Sequence, residues 1–567
     1  MPDNFHDADR IHETAEREAG GEATREFRIF GAPGTGKTTN IARQIRRAVD
    51  RYGPESVLVT SFSRTAAAEL AGRDLPIPSE KIGTLHSHCY RALGAPKIAE
   101  SCVDDWNRQN PRLALTAAKK HTRLSGEAAA AEEDGGLAKD GDPLLQQLSR
   151  YRGLMIPQKD WPLALRQFEA KWGRYKHALG LMDFTDLIER CLHDVPYAPK
   201  APAVIFADEA QDLNRMQLTL IRKWGERANY FILGGDDDQC IYAFAGASPD
   251  AILDPEIPDS HKIILKQSYR LPASVHQVAE SIIRQVTRRQ EKIYLPRPEA
   301  GAVHRLSAGT YKSPEYFILR SLEEHLKQGK TVMFLAACSY MLHPVVAALR
   351  KRSIPFHNPY RKSNGFWNPL RSSGKGSSAS RIIALLVAHP DFGGAHRAWT
   401  FGDLVLWADC LVSKQVLKHG MREKLRQYDQ AHLVRKDQLD EVFESQALSS
   451  LMEAWDGDYR ALLNWWRRLV TADFRGRIEF AANVAAAHGP RALTDPPKIV
   501  VGTIHSLKGA EADVVYLFPD LSNAGDAQYR RAGAARDSVI RLFYVGATRA
   551  RETLYICQRA TATAVTM

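Results

Sequence analysis

The sequence contains no C-x-x-C pair, for its seven cysteines lie far apart along 567 residues. Zinc-ribbon and disulfide frameworks need thiols at short or paired spacing, so neither is expected to organise the chain, and the pattern suits a reducing compartment. No run of about 18 apolar residues occurs, which argues against a membrane-spanning helix. The stretch from Met1 to Arg25 mixes acidic and basic side chains without an apolar centre. It does not read as a secretion signal and predicts at most a polar helix. These absences predict a cytoplasmic protein with no membrane partner. What is present is globular in composition, 44% hydrophobic and 25% charged. That is enough to bury sizeable cores in about two to four domains. The formal net charge of +11 favours a polyanionic partner, although dispersed basic charge also simply confers solubility.

The clearest motif is Gly31-Ala32-Pro33-Gly34-Thr35-Gly36-Lys37-Thr38, which matches G-x-x-x-x-G-K-[ST]. Its surroundings suit a phosphate loop. Phe27 to Phe30 reads as a buried strand, and Lys37 to Val49 carries Ile41, Ile45 and Val49 at helical spacing. In such a turn the backbone N–H groups close around phosphates, with the positive end of the helix dipole behind them. Lys37 has the reach for the terminal phosphates, and the Thr38 hydroxyl suits Mg²⁺. ATP and Mg²⁺ are therefore the expected ligands.

Ser56 to Thr60 reads as a second strand, ahead of Ser61-Phe62-Ser63-Arg64. Gly83-Thr84-Leu85-His86-Ser87-His88-Cys89 follows, and its histidines invite a metal reading that lacks acidic partners at ligand spacing. Residues 95 to 185 read mainly as helix, interrupted by a surface loop from Glu127 to Pro143. Val204 to Ala207 is apolar and delivers Asp208-Glu209-Ala210-Gln211-Asp212 at its C-terminal end, where open α/β sheets place ligands. Adjacent carboxylates can divide two jobs: Asp208 to hold Mg²⁺, Glu209 to orient or deprotonate the attacking water. Tyr230 to Leu233 and Ile263 to Leu265 are further strands, the second leading to Gln267-Ser268-Tyr269-Arg270.

A second α/β pattern begins near residue 273, with strands at Thr331 to Leu335, Ile499 to Val501, Val514 to Leu517 and Leu554 to Ile556. Within it, Ser372 to Ser380 reads as a flexible loop opening a helical stretch that lasts to about residue 490. Trp465-Trp466-Arg467-Arg468 could face a duplex or simply bury its Trp face, the latter being the simpler account of a helix. Two late motifs close the chain: Thr503-Ile504-His505-Ser506-Leu507-Lys508-Gly509-Ala510-Glu511 and Tyr544-Val545-Gly546-Ala547-Thr548-Arg549.

Taken in order from residue 31 to 551, these motifs resemble those of the UvrD/Rep-type DNA helicases of superfamily 1A. The resemblance implies an α/β chain of two tandem RecA-like P-loop NTPase domains, each carrying a mainly helical insertion. It puts the first domain at 1–94 and 186–272 around an insertion at 95–185, and the second at 273–370 and 496–567 around 371–495. It implies an ATP-driven 3′→5′ motor on single-stranded and tailed duplex DNA. On this resemblance the loop from Gly31 to Thr39 takes the nucleotide, with Thr38 and Asp208 on Mg²⁺ and Glu209 on the water. Gln239 stands near the γ-phosphate, Arg270 and Arg549 contact it, Tyr269 stacks on the base, and Glu511 meets the ribose. Guanidinium groups suit charge that spreads over equatorial oxygens in the transition state. Phe62, Phe184, Tyr242 and Phe244 match positions that stack on or pocket bases. Thr84, His86, Thr503 and His505 match positions near the DNA backbone. Aromatic rings suit such contacts because every base has a π face.

The chain departs from that pattern in places. No glutamine precedes Gln44, so the adenine-reading glutamine of the family is missing, and Thr39-Asn40 stands where many relatives carry an arginine. Weak base selection is the expectation. Phe244-Ala245-Gly246 replaces Trp-Arg-Gly, and the second insertion is short. A helicase, a translocase that strips proteins from single strands, and a nucleotide-gated DNA-binding factor are the three functional readings. The presence of Glu209, Arg270 and Arg549 counts against the last.

Overall fold

The structure, a computed structural model, describes residues 25–118, 139–315, 318–361, 365–371, 376–392 and 397–567, together with Ile11, Thr14 and Ala15. Most of the N-terminal stretch, residues 119–138, which take in residues 127–138 of the expected surface loop, and residues 372–375 of the serine-glycine loop lie outside the described residues; the expected end of the surface loop at Pro143 falls inside a helix, Asp142–Gly153. The chain divides into two compact units, one of residues 1–305, 504–511 and 519–567, the other of residues 306–503 and 512–518.

The first unit is built on six strands: β1 (Glu26–Gly31), β2 (Val57–Ser61), β3 (Ile82–Thr84), β4 (Val204–Asp208), β5 (Tyr230–Gly235) and β6 (Lys262–Leu265). They lie in the order β3-β2-β4-β5-β1-β6, and every pairing is parallel. Alternate side chains enter opposite cores. Phe27, Ile29, Val57, Val59, Val204, Phe206, Tyr230 and Ile232 pack on one face. Phe30, Leu58, Ile205, Ala207, Phe231 and Leu233 pack on the other. Burial on both faces explains the near-continuous apolar runs that made these strands legible. Because the sheet is parallel, the C-terminal ends of all six strands share one edge. Gly31 is level with Leu265, and Ser61 is level with both Thr84 and Asp208. This is the α/β architecture of RecA-like domains.

Helix α1 (Lys37–Tyr52) buries Ile41 and Ile45 against the sheet, as their spacing predicts. Helix α2 (Leu85–Ala92) follows β3 directly. The helical region beyond it has its own core, in which Trp106 meets Trp172 edge-on at 5.1 Å. Helix α3 (Leu163–Leu179) supplies Phe168, Trp172 and Tyr175 to that core. Helix α4 (Phe184–Asp194) returns the chain to the sheet, burying Leu187, Ile188 and Cys191. A capping box between Asp183 and Asp186 starts α4, and Arg152 and Lys176 ion-pair with both carboxylates. Beyond β6, strands β7 (Gln267–Pro272) and β8 (Leu295–Arg297) pair with each other. The strands Ala302–Arg305 and Ala550–Ile556 also pair, in parallel.

In the second unit β9 (Val332–Ala336) lies between β10 (Ile499–Thr503) and β11 (Ala512–Leu517), again in parallel. The helices of residues 378–488 bury a separate core that includes Trp407, Phe443 and Trp466. Trp465 and Trp466 are both buried, their indole N–H groups donating to Ser450 Oγ at 2.9 Å and to the Trp407 carbonyl at 2.8 Å. The Trp face is core, and the duplex-facing alternative is set aside for those rings. The expected loop to Ser380 ends sooner: Ser377 caps a helix from Ser378 to Leu386 by accepting the Ser380 N–H. Among the seven cysteines Cys102 is exposed, Cys338 is half-buried and the others are buried. Among the described residues no helix is long and apolar enough to cross a membrane.

Candidate nucleotide site and adjoining aromatic face

The strand–turn–helix at residues 26–52 makes an anion cradle from backbone. Gly34 and Gly36 take positive φ angles of 75° and 78°, and Gly36 stands at the N-terminus of α1. A side chain at Gly34 would bring its Cβ to 2.4 Å from Arg270 Cβ, so the loop can only be glycine there. The close approach is held by hydrogen bonds from Tyr269 N–H to the Gly34 carbonyl at 2.8 Å and from the Ser268 hydroxyl to the Pro33 carbonyl at 2.8 Å. No acidic residue occupies the first turn of α1, so its positive end is open to an anion. Thr38 and Thr39 lie in that turn, and Tyr269 is 53% exposed beside it.

At the end of β4, Asp208 is buried and accepts the Glu209 N–H at 2.9 Å. Glu209 itself sits at φ 54°, left-handed backbone that costs a non-glycine residue about 1–3 kcal/mol. Its Oε1 is 3.4 Å from Lys37 Nζ, and its Oε2 accepts from Gln211 Nε2 at 2.5 Å and lies 3.8 Å from Lys508 Nζ. Burial alone would raise this carboxyl, but Lys37 and Lys508 outweigh it and hold the pKa down at about 2. Burial likewise opposes the charge on Lys37, and Glu209, Asp208 and Asp236 reverse that and raise its pKa. The pair is ionised, so Glu209 can only accept, as a base for water must.

Gln239 Nε2 donates to Asp236 Oδ2 at 2.8 Å, and Gln239 Oε1 accepts from Arg549 Nη2 at 3.1 Å. The Arg549 guanidinium is buried, donating also to the carbonyls of Val545 at 2.9 Å and Ala510 at 3.3 Å. Burial first, and then the neighbouring Arg270, lower its pKa to about 9. Arg270 Nε donates to Glu511 Oε2 at 2.6 Å, and Arg551 donates to Glu511 Oε1 at 3.3 Å. Lys37–Glu209, Gln239–Arg549 and Arg270–Glu511 are thus three bonded pairs, and Arg549 feels the charges of Arg270, Glu209 and Glu511.

Asp236, Asp237 and Asp238 form a second acidic group, with oxygens within 4.8 Å of one another. A cation already stands among them. Lys292 Nζ lies 3.2 Å from Asp236 and 3.0 Å from Asp238 and hydrogen-bonds Asp237, while Arg289 grips Asp238 through two nitrogens. Neither Lys292 nor Arg289 was expected from the motifs.

The aromatic candidates fall into two groups. Phe62 meets Tyr242 at 5.3 Å, Tyr242 meets Phe244 at 5.9 Å, and Phe244 meets His505 at 5.3 Å. Phe244 is 38% exposed. His86 and Phe184 make a separate edge-on pair at 6.5 Å. Burial lowers the pKa of both His86 and His505 to about 4, so near neutral pH both rings are uncharged, and the one N–H of His505 goes to the Ile241 carbonyl at 3.2 Å. Thr84 is buried and caps α2 by accepting the Ser87 N–H at 3.3 Å. Thr503 belongs to the other unit, buried at the end of β10 level with Ala336. His88 bonds the Val59 carbonyl at 3.0 Å and Arg91 at 3.0 Å, which leaves its ring committed. Lys508 carried no role in the sequence reading. It stands three positions after His505 and reaches Asp212, the Gln239 carbonyl and the Tyr242 ring.

A RecA-like sheet with a glycine-rich phosphate loop after β1 and paired carboxylates ending β4 defines a P-loop nucleoside triphosphatase. Two family models match the chain: the UvrD/REP helicase N-terminal domain over residues 12–257 and the UvrD-like helicase C-terminal domain over residues 481–560. Together they cover more than half of it, and the chain belongs to the UvrD/Rep-type helicases of superfamily 1A. It is accordingly an ATP-using enzyme of the helicase class. Among similar proteins, the ATP-dependent DNA helicase PcrA of Staphylococcus aureus is 21% identical over 93% of this chain and 80% of its own length. PcrA of Staphylococcus epidermidis is 20% identical over 94% of this chain and 81% of its own. The ATP-dependent DNA helicase UvrD1 of Mycobacterium leprae is 25% identical over 60% of this chain, a match that spans 48% of that protein.

Proposed function

We propose that the protein is an ATP-dependent translocase moving 3′→5′ on single-stranded DNA, and a helicase on tailed duplexes. The observation that supports this best is where the aromatic row lies. Phe62 follows β2 and Tyr242 follows β5, and β4, which ends in Asp208, runs between those two strands. A strand whose bases stack along Phe62, Tyr242 and Phe244 would therefore pass beside the hydrolytic carboxylates. The names of the PcrA and UvrD1 relatives and the motif order support DNA as the polymer.

In this reading Lys37 and the loop from Gly31 to Thr39 bind the phosphates. Glu209 aligns the attacking water and takes its proton. Arg270 and Arg549 stabilise charge on the transferred phosphoryl group, and Gln239 links that group to the aromatic row. Tyr269 covers the base and Glu511 meets the ribose. Thr38 and Asp208 offer a hydroxyl and a carboxylate, hard oxygen donors that fit Mg²⁺. Bound there, Mg²⁺ would neutralise phosphate charge. His86 would donate to a DNA phosphate, His505 would hold its place beside Phe244 near the DNA backbone, Phe184 would stack, and Thr84 and Thr503 would act by shaping the strand ends beneath them. The two helical cores would be the insertions at residues 95–185 and 371–495 of the two RecA-like domains.

Strand displacement on 3′-tailed, 5′-tailed and blunt duplexes with ATP tests the proposal. Unwinding of the 3′-tailed duplex alone is expected, and preference for the 5′-tailed one would reverse the polarity. Ala245, which puts no cation beside Phe244, favours a second reading, a translocase that strips proteins and unwinds poorly. ATP-dependent release of streptavidin from a biotinylated single strand, without duplex opening, would select it.

A further inference from the structure

Lys508 is the cation that the roles above leave over. Its ammonium has three N–H donors. One goes to the buried Asp212 carboxylate and one to the Gln239 carbonyl at 2.9 Å, with Glu209 Oε2 at 3.8 Å. The same nitrogen lies 5.1 Å from the centre of the Tyr242 ring, the middle ring of the row that also holds Phe62 and Phe244. One charge therefore faces the hydrolytic carboxylates on one side and an aromatic π face on the other.

We propose that Lys508 is a positioning residue that couples the nucleotide site to the aromatic row through Tyr242. The inference rests on the DNA reading above. Its physical basis is competition for a single charge. Glu209 is flanked by two cations, Lys37 and Lys508. A terminal phosphate that draws Lys37 away leaves Glu209 with Lys508 alone, and the ammonium is pulled toward the carboxylates. Its attraction for the Tyr242 face weakens as the distance grows. By linkage, a base that takes the Tyr242 face returns Lys508 to Glu209 and Asp212.

The test is a double-mutant cycle on the factor by which a thymidine oligonucleotide stimulates ATP turnover. Lys508→Met and Tyr242→Leu should each lower that factor about tenfold, within the usual range of coupling between sites. Combining them should cost less than about twofold more, because both break one link. Losses that multiply would overturn the coupling. Burial already pushes the Asp212 carboxyl up to about 7 against the pull of Lys508, so Lys508→Met also changes its protonation, and Asp212→Asn with Lys508→Met is the companion variant in which that group cannot titrate. It should also lose stimulation. Full stimulation in that pair would mean that Lys508 only neutralises Asp212, and the proposal would fail. A wild-type enzyme that ignores the oligonucleotide would sink the DNA reading and this coupling with it. A stimulated wild type with multiplicative losses would sink the coupling alone.

Discussion

Asp208 ends β4 and Glu209 follows it, while Asp236 to Asp238 follow β5, the next strand of the same sheet. Both are acidic groups at the ligand-binding edge, and their surroundings send them opposite ways. Glu209 is held ionised at about 2 by lysines that touch it from either side, with its carboxylate still partly open. Asp237 has its pKa pushed up to about 6, chiefly by burial, with Lys292 opposing and its two aspartate neighbours adding to the rise. Lys292 and Arg289 sit where a metal ion would have to go. Acidic density alone therefore does not single out a hydrolytic site, and the placement of the cations separates the cluster proposed to act on ATP from the one held by ion pairs.

The comparison breaks most visibly at Glu209. Glu209→Gln should lower steady-state ATP turnover on the order of 10³-fold, about 4 kcal/mol, while equilibrium binding of ATP survives. The second cluster should answer in stability instead. Lys292→Met leaves buried Asp236 and Asp237 without their cation while Arg289 stays on Asp238, and urea unfolding should register a loss of roughly 3 kcal/mol. If its folding midpoint matches the wild type, Lys292 is not the counter-ion described.

The two clusters should also have opposite pH signatures. Asp237 has a folded pKa raised above its unfolded value, so between pH of about 4 and 6 the native state binds more protons. Its contribution is present below that window and is lost as pH rises through it. Glu209 has a depressed folded pKa, so its contribution is lost as pH falls from about 4 toward 2. Subtracting the stability of Asp237→Asn from that of wild type should isolate a decline of about 2 kcal/mol between pH 4 and 6. A difference that rises with pH would reverse the sign argued here. The smallest expected effect concerns Mg²⁺. Asp208→Asn should weaken Mg²⁺-dependent ATP binding about tenfold in calorimetry, some 1.4 kcal/mol, and Asp237→Asn less than about twofold. Equal losses in both would erase the distinction between the clusters.

The position of the proposed hydrolytic cluster was legible in the sequence because each of its motifs follows an apolar run that is a strand. Gly31 and Asp208 prove to be the last residues of their strands, one position beyond the expected ends, since the ladder continues while the backbone is still paired. The structural cluster was not legible. Lys292 lies 55 positions from Asp237 in a stretch without a motif, and only the fold brings them together. Lys508 stood in plain view inside a motif, yet its partners Asp212 and Gln239 are 296 and 269 positions away. Thr84 shows a different limit. A threonine three positions before a serine at a strand end can face a ligand or cap the next helix, and here its oxygen caps α2.

The distribution of thiols has a practical consequence. Cys102 is exposed on the first helical region, whereas Cys89, Cys191, Cys240, Cys410 and Cys557 are buried. Burial also raises the thiol pKa of Cys89, Cys240, Cys410 and Cys557, which keeps them protonated and slow to react. A maleimide fluorophore will therefore enter at Cys102 ahead of the buried thiols. Once the half-buried Cys338 is changed to serine, the native chain carries its own single attachment point, far in sequence from the phosphate loop. Dye emission from that point can follow individual molecules through successive turnovers without a cysteine being engineered in.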